Sequence, residues 1–399
     1  MDHSQQQQQK SYIRTAPTEN KTCEFTTTQE NLAKALRTLS GVAGRNPALP
    51  ILSNVLLKHD RNQLRLSSTD LEVGITSWLP GKLRGEGELT VPLKPFAEYI
   101  QNLPSGSITL AINASSLFIT AQGAHAVFQG ETAENFPIIP YLEEGLTVQL
   151  PPKAFSRALD EVLYAIAIED TRPELTGVLI RGEGNLLTLA ATDSYRLAES
   201  KITLPTSPTT SFSIIIPGRS AQEIRRVIDS ASEATLRVGE GQVLLLTPST
   251  HIISRRVEGN YPDYAQIIPQ KHITAAEVDR LSLLRTIRAS AVFSGNTVSR
   301  VMLEVSEHKL RVEATTPEIG NTETDIPADV HGEHVAVAFN ERFLRDALSV
   351  LSTDRVRIEF GTSATPAVLR PVSTSKGSQD KESAEEQGLN LALIMPIKT

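Results

Sequence analysis

The stretch LTLAATDSYRLAE, residues 187–199, brings Asp193, Tyr195 and Arg196 together between two alternating apolar runs. A carboxylate, a phenol and a guanidinium this close have the types to polarise or protonate a substrate. The same residues can equally close a solvated turn between two strands. HGEH, residues 331–334, offers His331 and His334 as a pair of metal ligands, but it lies between DIPADV and the strand pattern VAVAF and reads as a solvated turn. The chain has no GxxxxGK[ST] phosphate loop, no GxGxxG after a strand, no GxSxG elbow and no HExxH. An enzyme is therefore the rival reading, and neither a cofactor nor a metal is expected.

The elements that hold these residues come from a chain of 399 residues, 40% hydrophobic and 21% charged, enough for two or three domains with ample core. A single cysteine, Cys23, excludes a disulfide framework and a cysteine-based zinc site. It fits a reducing compartment, so a cytoplasmic location is expected. Residues 1–22 carry a glutamine run without an apolar core, which argues against a signal peptide or membrane span and for a disordered tail. The polar stretch 373–388 reads as a mobile loop within a final hairpin that ends in LNLALIMPIKT.

The chain repeats itself. LRLSSTDLEVGIT begins at Leu64, LTLAATDSYRLAE at Leu187 and LRVEATTPEIGNT at Leu310, a spacing of 123 residues both times. SNVLLKHDRNQ, TGVLIRGEGN and SRVMLEVSEHK recur upstream at the same offset, each a strand followed by a polar turn. One amphipathic helix recurs with Leu32, Leu36 and Leu39, then with Phe155, Leu159 and Val162, then from Leu281. A second follows a strand each time, after Pro92, after Pro217 and after Asn340, a plausible N-cap. The pattern predicts an α+β fold of three similar domains, 23–143, 144–268 and 269–399, each with two helices among many strands.

The formal charge of −7 argues weakly against nucleic acid, yet the predicted helices together carry +5 and leave −12 to strands, loops and tails. Helices gathered on one side would make a phosphate-facing surface. Solvated helix faces account for the same numbers.

The threefold repeat, GRNPALPILSNVLL at 44–57, ATDSYRLA at 191–198, YPDYAQIIP at 261–269 and the terminal IMPIKT resemble the bacterial DNA polymerase III beta subunit family, the beta sliding clamps, over about residues 23 to 399. The resemblance implies two sheets in each domain and a non-catalytic processivity subunit. Two copies would join head to tail into a ring with helices lining the hole, hold duplex DNA without sequence preference, and tether the replicative polymerase. A repeat-built peptide adaptor that does not encircle DNA is the alternative.

Carried over position by position, the resemblance implies a cleft for partner peptides of the polymerase catalytic subunit, the clamp loader and other motif-bearing proteins. It would comprise Leu175, Thr192, Ser194, Tyr195, Arg196, Leu197, Pro262, Ile267, Leu393, Ile394, Met395, Pro396 and Ile397. Arg45, Asn46, Arg172 and Arg219 match the family's DNA-approaching positions, and Arg225, Arg226, Arg285 and Arg288 are added from helix charge. Val292 and Phe293 match the dimer contact, with Phe128 opposite them. Ser194 and Tyr195 stand where the family often has Gly and His, Gln266 replaces a frequent basic residue, and the chain ends in PIKT, so the peptide preference is open.

Overall fold

The computed structural model describes residues 23–43, 49–169, 171–295, 299–372 and 389–397. The glutamine-rich segment 1–22, Arg45, Asn46 and the stretch 373–388 lie outside the described residues. By compactness the chain divides into two units, one running to Glu143 and including Gln242–Ser254, the other made of Glu144–Gly241 and residues from Arg255 onward.

One element order occurs three times: a strand, a helix, four strands, a helix and three strands, with a short extra strand Lys82–Arg84 in the first copy. The helices are α1 (Gln29–Leu39), α2 (Leu93–Gln101), α3 (Pro152–Leu163), α4 (Gly218–Ile228), α5 (Arg280–Ser290) and α6 (Glu341–Val350). The opening strand of each copy pairs antiparallel with the strand after its second helix: Cys23–Thr28 with Ser107–Asn113, Leu146–Leu150 with Ala234–Val238, Thr274–Asp279 with Arg355–Phe360. Leu64, Leu187 and Leu310 each occupy the second position of matching strands, Gln63–Thr69, Leu186–Thr192 and Lys309–Thr316, and all three are buried. Their 123-residue spacing is thus a repeat of strand register.

The apolar stripes predicted on the helices face inward. Leu32, Leu36 and Leu39 of α1 and Phe155, Leu159 and Val162 of α3 are buried, and in α5 the buried stripe is Leu283, Leu284 and Ile287, whereas Leu281, at which the sequence pattern starts this helix, is exposed. Each first helix packs beside the second helix of its own copy. The helix starts follow from local chemistry: the Asn31 amide donates to the Thr28 hydroxyl, the Arg342 amide to Asn340 Oδ1, and the Ser282 amide to Asp279 Oδ1 at 2.7 Å.

Hydrogen bonds from the Ser282 side chain and backbone, with Arg280 and Arg285 nearby, hold the Asp279 carboxyl below its ordinary pKa. A depressed folded-state pKa stabilises above the unfolded value and loses that contribution as pH falls through the folded one. Asp279→Ala is therefore expected to cost about 1 kcal/mol at neutral pH, as cap removals do. The deficit relative to the parent should vanish on acidification below the carboxylate range, read by denaturant melts at several pH values.

Strand pairing also joins successive copies, and both joints obey one rule. The last strand of the second copy, Thr250–Arg255, pairs with Val73–Leu79, the third of the four strands in the first copy. The last strand of the third copy, Leu389–Ile394, pairs with Arg196–Thr203, the third of four in the second. Two strands keep an open edge under this rule. Ala124–Gln129, last of the first copy, stands at the edge of its five-stranded sheet. Gly320–Gly332, third of four in the last copy, pairs over its first eight residues with Lys309–Thr316, and with Thr274–Asp279 only over its last five.

Candidate peptide cleft and basic helix faces

The cluster that opened the chemical question is a hydrogen-bonded corner, and it is built twice. At Thr192 the hydroxyl donates to the Arg196 carbonyl at 2.7 Å and accepts from the Ser194 amide, while Asp193 Oδ1 accepts from the amides of Tyr195 and Arg196. At Thr69 the same four bonds recur with Val73, Leu71, Glu72 and Asp70 in the matching places. A Thr-Asp pair thus satisfies a tight turn from its own side chains. Asp193 holds backbone amides here, which explains its presence without acid-base work.

The corner forces its third residue into the left-handed region, with φ of 78° at Leu71 and 76° at Ser194. An L residue there pays about 1–2 kcal/mol of strain that glycine escapes, less what glycine loses by its freer unfolded chain. Ser194→Gly is expected to raise stability by about 0.5–1 kcal/mol. An unchanged or lowered denaturation midpoint would show that the corner is unstrained.

Arg196 leaves this corner sideways and is almost wholly enclosed. Its Nε donates to Asp193 Oδ2 at 3.0 Å and its Nη1 to Asp346 Oδ2 on α6 at 2.8 Å. The guanidinium lies over the Tyr164 ring at 5.4 Å and the Phe343 ring at 4.6 Å. Burial pushes the Tyr164 phenol well above its ordinary pKa, so it stays neutral beside the cation. Two carboxylates and two rings therefore occupy the one arginine, tying the second copy to the helix of the third.

Beside it the terminal strand adds to the sheet, with Arg196 opposite Ile394 and Leu197 opposite Leu393. The chain continues past the corner: the Met395 amide donates to the Tyr195 carbonyl and the Ile397 amide to the Ala338 carbonyl, each at 2.8 Å. Leu197, Leu393, Leu391 and Tyr264 share a buried cluster on which Met395, Tyr261 and Ile268 pack half-buried. Tyr264 donates to Glu199 Oε2 at 2.7 Å, and burial with that carboxylate holds its phenol protonated. A cavity of about 410 Å³ opens alongside, lined by Tyr261, Pro262, Tyr264, Leu179 and Ile215 among others.

The expected cleft residues thus divide by exposure. Thr192, Leu197, Leu393 and Ile394 are buried as the wall, Leu175 is buried in the turn Pro173–Leu175, and Met395, Pro396 and Ile397 are half-buried. Tyr195, at 65%, Ser194, Pro262 and Ile267 are exposed. The arrangement is an apolar shelf with a polar lip, suited to a short extended peptide. Tyr164, Phe343 and Asp346 carry no sequence signal for this role. Tyr261 and Tyr264, in contrast, lie inside the YPDYAQIIP stretch already singled out.

Among the basic positions, Arg172, Arg219, Arg285 and Arg288 are exposed, the last two one turn apart on α5. Arg225 donates to Asp160 at 2.8 Å and Arg226 to Glu223, so charge counted along α4 is partly spent within the fold. Val292 is 60% exposed, and Phe293 is half-buried, its carbonyl accepting from the Thr316 hydroxyl. Phe128 packs edge-on against Phe96 and Tyr99. His331 and His334 are exposed, the latter 2.8 Å from Glu304, and no group of three metal-ligating side chains occurs among the described residues.

Sequence profiles described as the N-terminal, central and C-terminal domains of the DNA polymerase III beta subunit match residues 23–140, 149–263 and 265–381. The beta sliding clamp of Synechococcus elongatus is 29% identical over 357 residues, covering 87% of this chain and 95% of that protein. That of Pseudomonas putida is 28% identical, covering 89% and 97%. Among solved structures, the DNA polymerase III beta subunit of Thermotoga maritima superposes with a TM-score of 0.86 at 24% identity, covering 94% of this chain and all of that one. A Pseudomonas aeruginosa sliding clamp solved with griselimycin bound gives 0.85 at 25%, again covering 94% and 100%.

Proposed function

Because the chain belongs to the DNA polymerase III beta subunit family, the sliding clamps of bacterial DNA replication, we propose that two copies close head to tail into a ring around duplex DNA. The observation that carries this is the pair of open edges. Inside the chain, every last strand with a neighbour pairs with the third strand of the preceding copy. The two strands without such a neighbour, Ala124–Gln129 and Gly320–Gly332, are of the two types that the rule joins. A second chain satisfies both at once through a heterologous contact that closes. Phe128 lies on one edge, and the turn Ala291–Phe293 packs beside the other, so Phe128, Val292 and Phe293 make the apolar part of the contact.

The domains of this ring run 23–143, 144–268 and 269–399, near the limits of the three profile matches. Arg172, Arg219, Arg285 and Arg288, exposed in the fold, meet phosphates together with Arg45 and Asn46, while Arg225 is paired with Asp160 and Arg226 with Glu223. Contacts of this kind carry no sequence information, which sliding requires. The cleft on the shelf of Tyr195, Pro262, Ile267 and Met395 holds an apolar peptide of the polymerase catalytic subunit, the clamp loader or another partner. The protein performs no catalysis and needs no cofactor. It works in the cytoplasm, where the chromosome is copied, and no helix among the described residues is long and apolar enough to cross a membrane.

Retention on circular DNA tests the ring. Protein loaded by a clamp loader onto nicked circles should stay bound through gel filtration at moderate salt and be lost when the circle is cut. Equal retention on both forms would remove topological encirclement and leave the peptide adaptor.

A further inference from the structure

The cavity of about 410 Å³ beside the cleft has a charged end that the apolar shelf does not use, and all its walls belong to the second unit. Its floor is the sheet face carrying Leu179 and Ile215, which sit opposite each other on Gly177–Glu183 and Phe212–Pro217. One row further along, the same two strands set Arg181 opposite Ser213. The facing wall is the segment from Arg256 to Ala265, fixed to the strand edge where the Val257 amide donates to the Ile215 carbonyl at 2.9 Å.

Two arginines and one carboxylate line this space. Arg256 Nη1 donates to the Gly239 and Glu240 carbonyls, each at 2.9 Å, and among the described residues no carboxylate pairs with it. Arg181, its side chain 41% exposed, has one ion pair among the described residues, from Nε to Glu183 Oε1 at 3.4 Å. Asp263 is turned to Gln266, whose Nε2 donates to it at 2.9 Å. The internal repeat shows which partner is missing. In the first copy Lys58 holds the place of Arg181, 123 residues earlier, and its cross-strand neighbour Glu88 pairs with it at 2.6 Å. In the second copy the strand register puts Ser213 where Glu88 stands. Opposite charges across a strand pair stabilise each other, so the first copy satisfies its cation internally while the second leaves a guanidinium beside a hydroxyl.

We propose that this end of the cavity is a subsite for an acidic side chain of the partner peptide, flanking the apolar anchor that lies on the shelf. The inference rests on the peptide cleft proposed above. Tyr261, Pro262 and Tyr264 make the two continuous: all three line the cavity, and Tyr261 and Tyr264 also pack in the cluster of Leu197, Leu393 and Met395. A peptide crossing Pro262 advances about 3.3–3.6 Å per residue, which places the acidic residue a few positions from the anchor. Its carboxylate supplies the charge that Glu88 supplies in the first copy, accepting from Arg181 and Arg256 with Ser213 and Asn260 beside them. A guanidinium suits this role because its planar fork meets a carboxylate through two parallel bonds. Partners are then sorted by the charge flanking their apolar motif as well as by the motif.

Fluorescence anisotropy on the full chain tests this with short peptides that share one apolar anchor and carry a Glu, Gln or Lys pair on either flank. On one flank the Glu form should bind about three- to tenfold more tightly than the Gln form, as a partly exposed charge-assisted pair does, and the Lys form more weakly. Added salt should shrink the difference. Arg256→Gln should erase the Glu preference while the Gln form binds as it does to the parent, and Arg181→Glu, at a half-exposed side chain, should turn the preference toward Lys. Equal binding of the Glu and Gln forms on both flanks, or a Glu preference that survives both substitutions, overturns the subsite and leaves the cleft standing. Failure of every form, Gln included, to bind the parent removes the cleft itself and the subsite with it.

Discussion

Val292→Asp is expected to convert a two-chain assembly into monomers. The side chain is 60% exposed in the isolated chain, so the folded protomer should tolerate the change. In the proposed ring it is covered by the edge carrying Phe128, and an unpaired carboxylate buried there costs about 3–5 kcal/mol. Head-to-tail closure makes each substitution count twice, since both interfaces of a two-chain ring contain it. Val292→Leu, which keeps the apolar contact, should remain a dimer. Sedimentation at micromolar protein reads the mass directly, and the Asp variant should also lose retention on circular DNA. A dimer mass for Val292→Asp would move the contact away from the turn Ala291–Phe293.

What the sequence made legible was set by the range of the interactions involved. Strand alternation, helix stripes and caps are local, so the 123-residue repeat, the inward leucines of α1 and the Asn340 cap were all readable before any contact was known. Asp193 and Tyr195 allowed two readings for the same reason, because the types of a catalytic cluster and of a self-satisfied turn are the same. The parallel TDLEV corner at Thr69, with matching bonds, separates the two.

Non-local pairing was hidden. A count of charges along α4 includes Arg225 at full value, yet its partner Asp160 lies 65 residues away on α3. Arg196 similarly reads as a cation free for substrate or peptide until Asp346, 150 residues later, closes on it. The family resemblance supplied positions for the cleft, but burial distinguishes wall from rim: Leu197 and Leu393 cannot touch a peptide without repacking, whereas Tyr195 and Ile267 can.

Arg196→Ala is the substitution with the largest expected effect within the second unit. It strips the cation from Asp193 and Asp346 and empties the space between Tyr164 and Phe343. Breaking a buried pair costs about 3–5 kcal/mol. Asp346 is one-third exposed and has Arg345 nearby, so water and a second cation recover part of it. A loss of about 2–4 kcal/mol follows. Arg196→Lys should recover little, because an ammonium cannot serve two carboxylates and stack on two rings together.

The cycle with Asp346→Ala separates pinning from peptide contact. If Arg196 mainly ties α6 to the corner, the double variant should be more stable than the sum of the singles predicts, with a coupling of about 1–3 kcal/mol. Peptide affinity should then fall equally in Asp346→Ala, through disorder of the Tyr195 rim and of the Met395 bond to it. If Arg196 serves the peptide directly, affinity should drop in Arg196→Ala alone, with stability unchanged. Urea melts and peptide titrations on the four proteins decide between a pin and a hand.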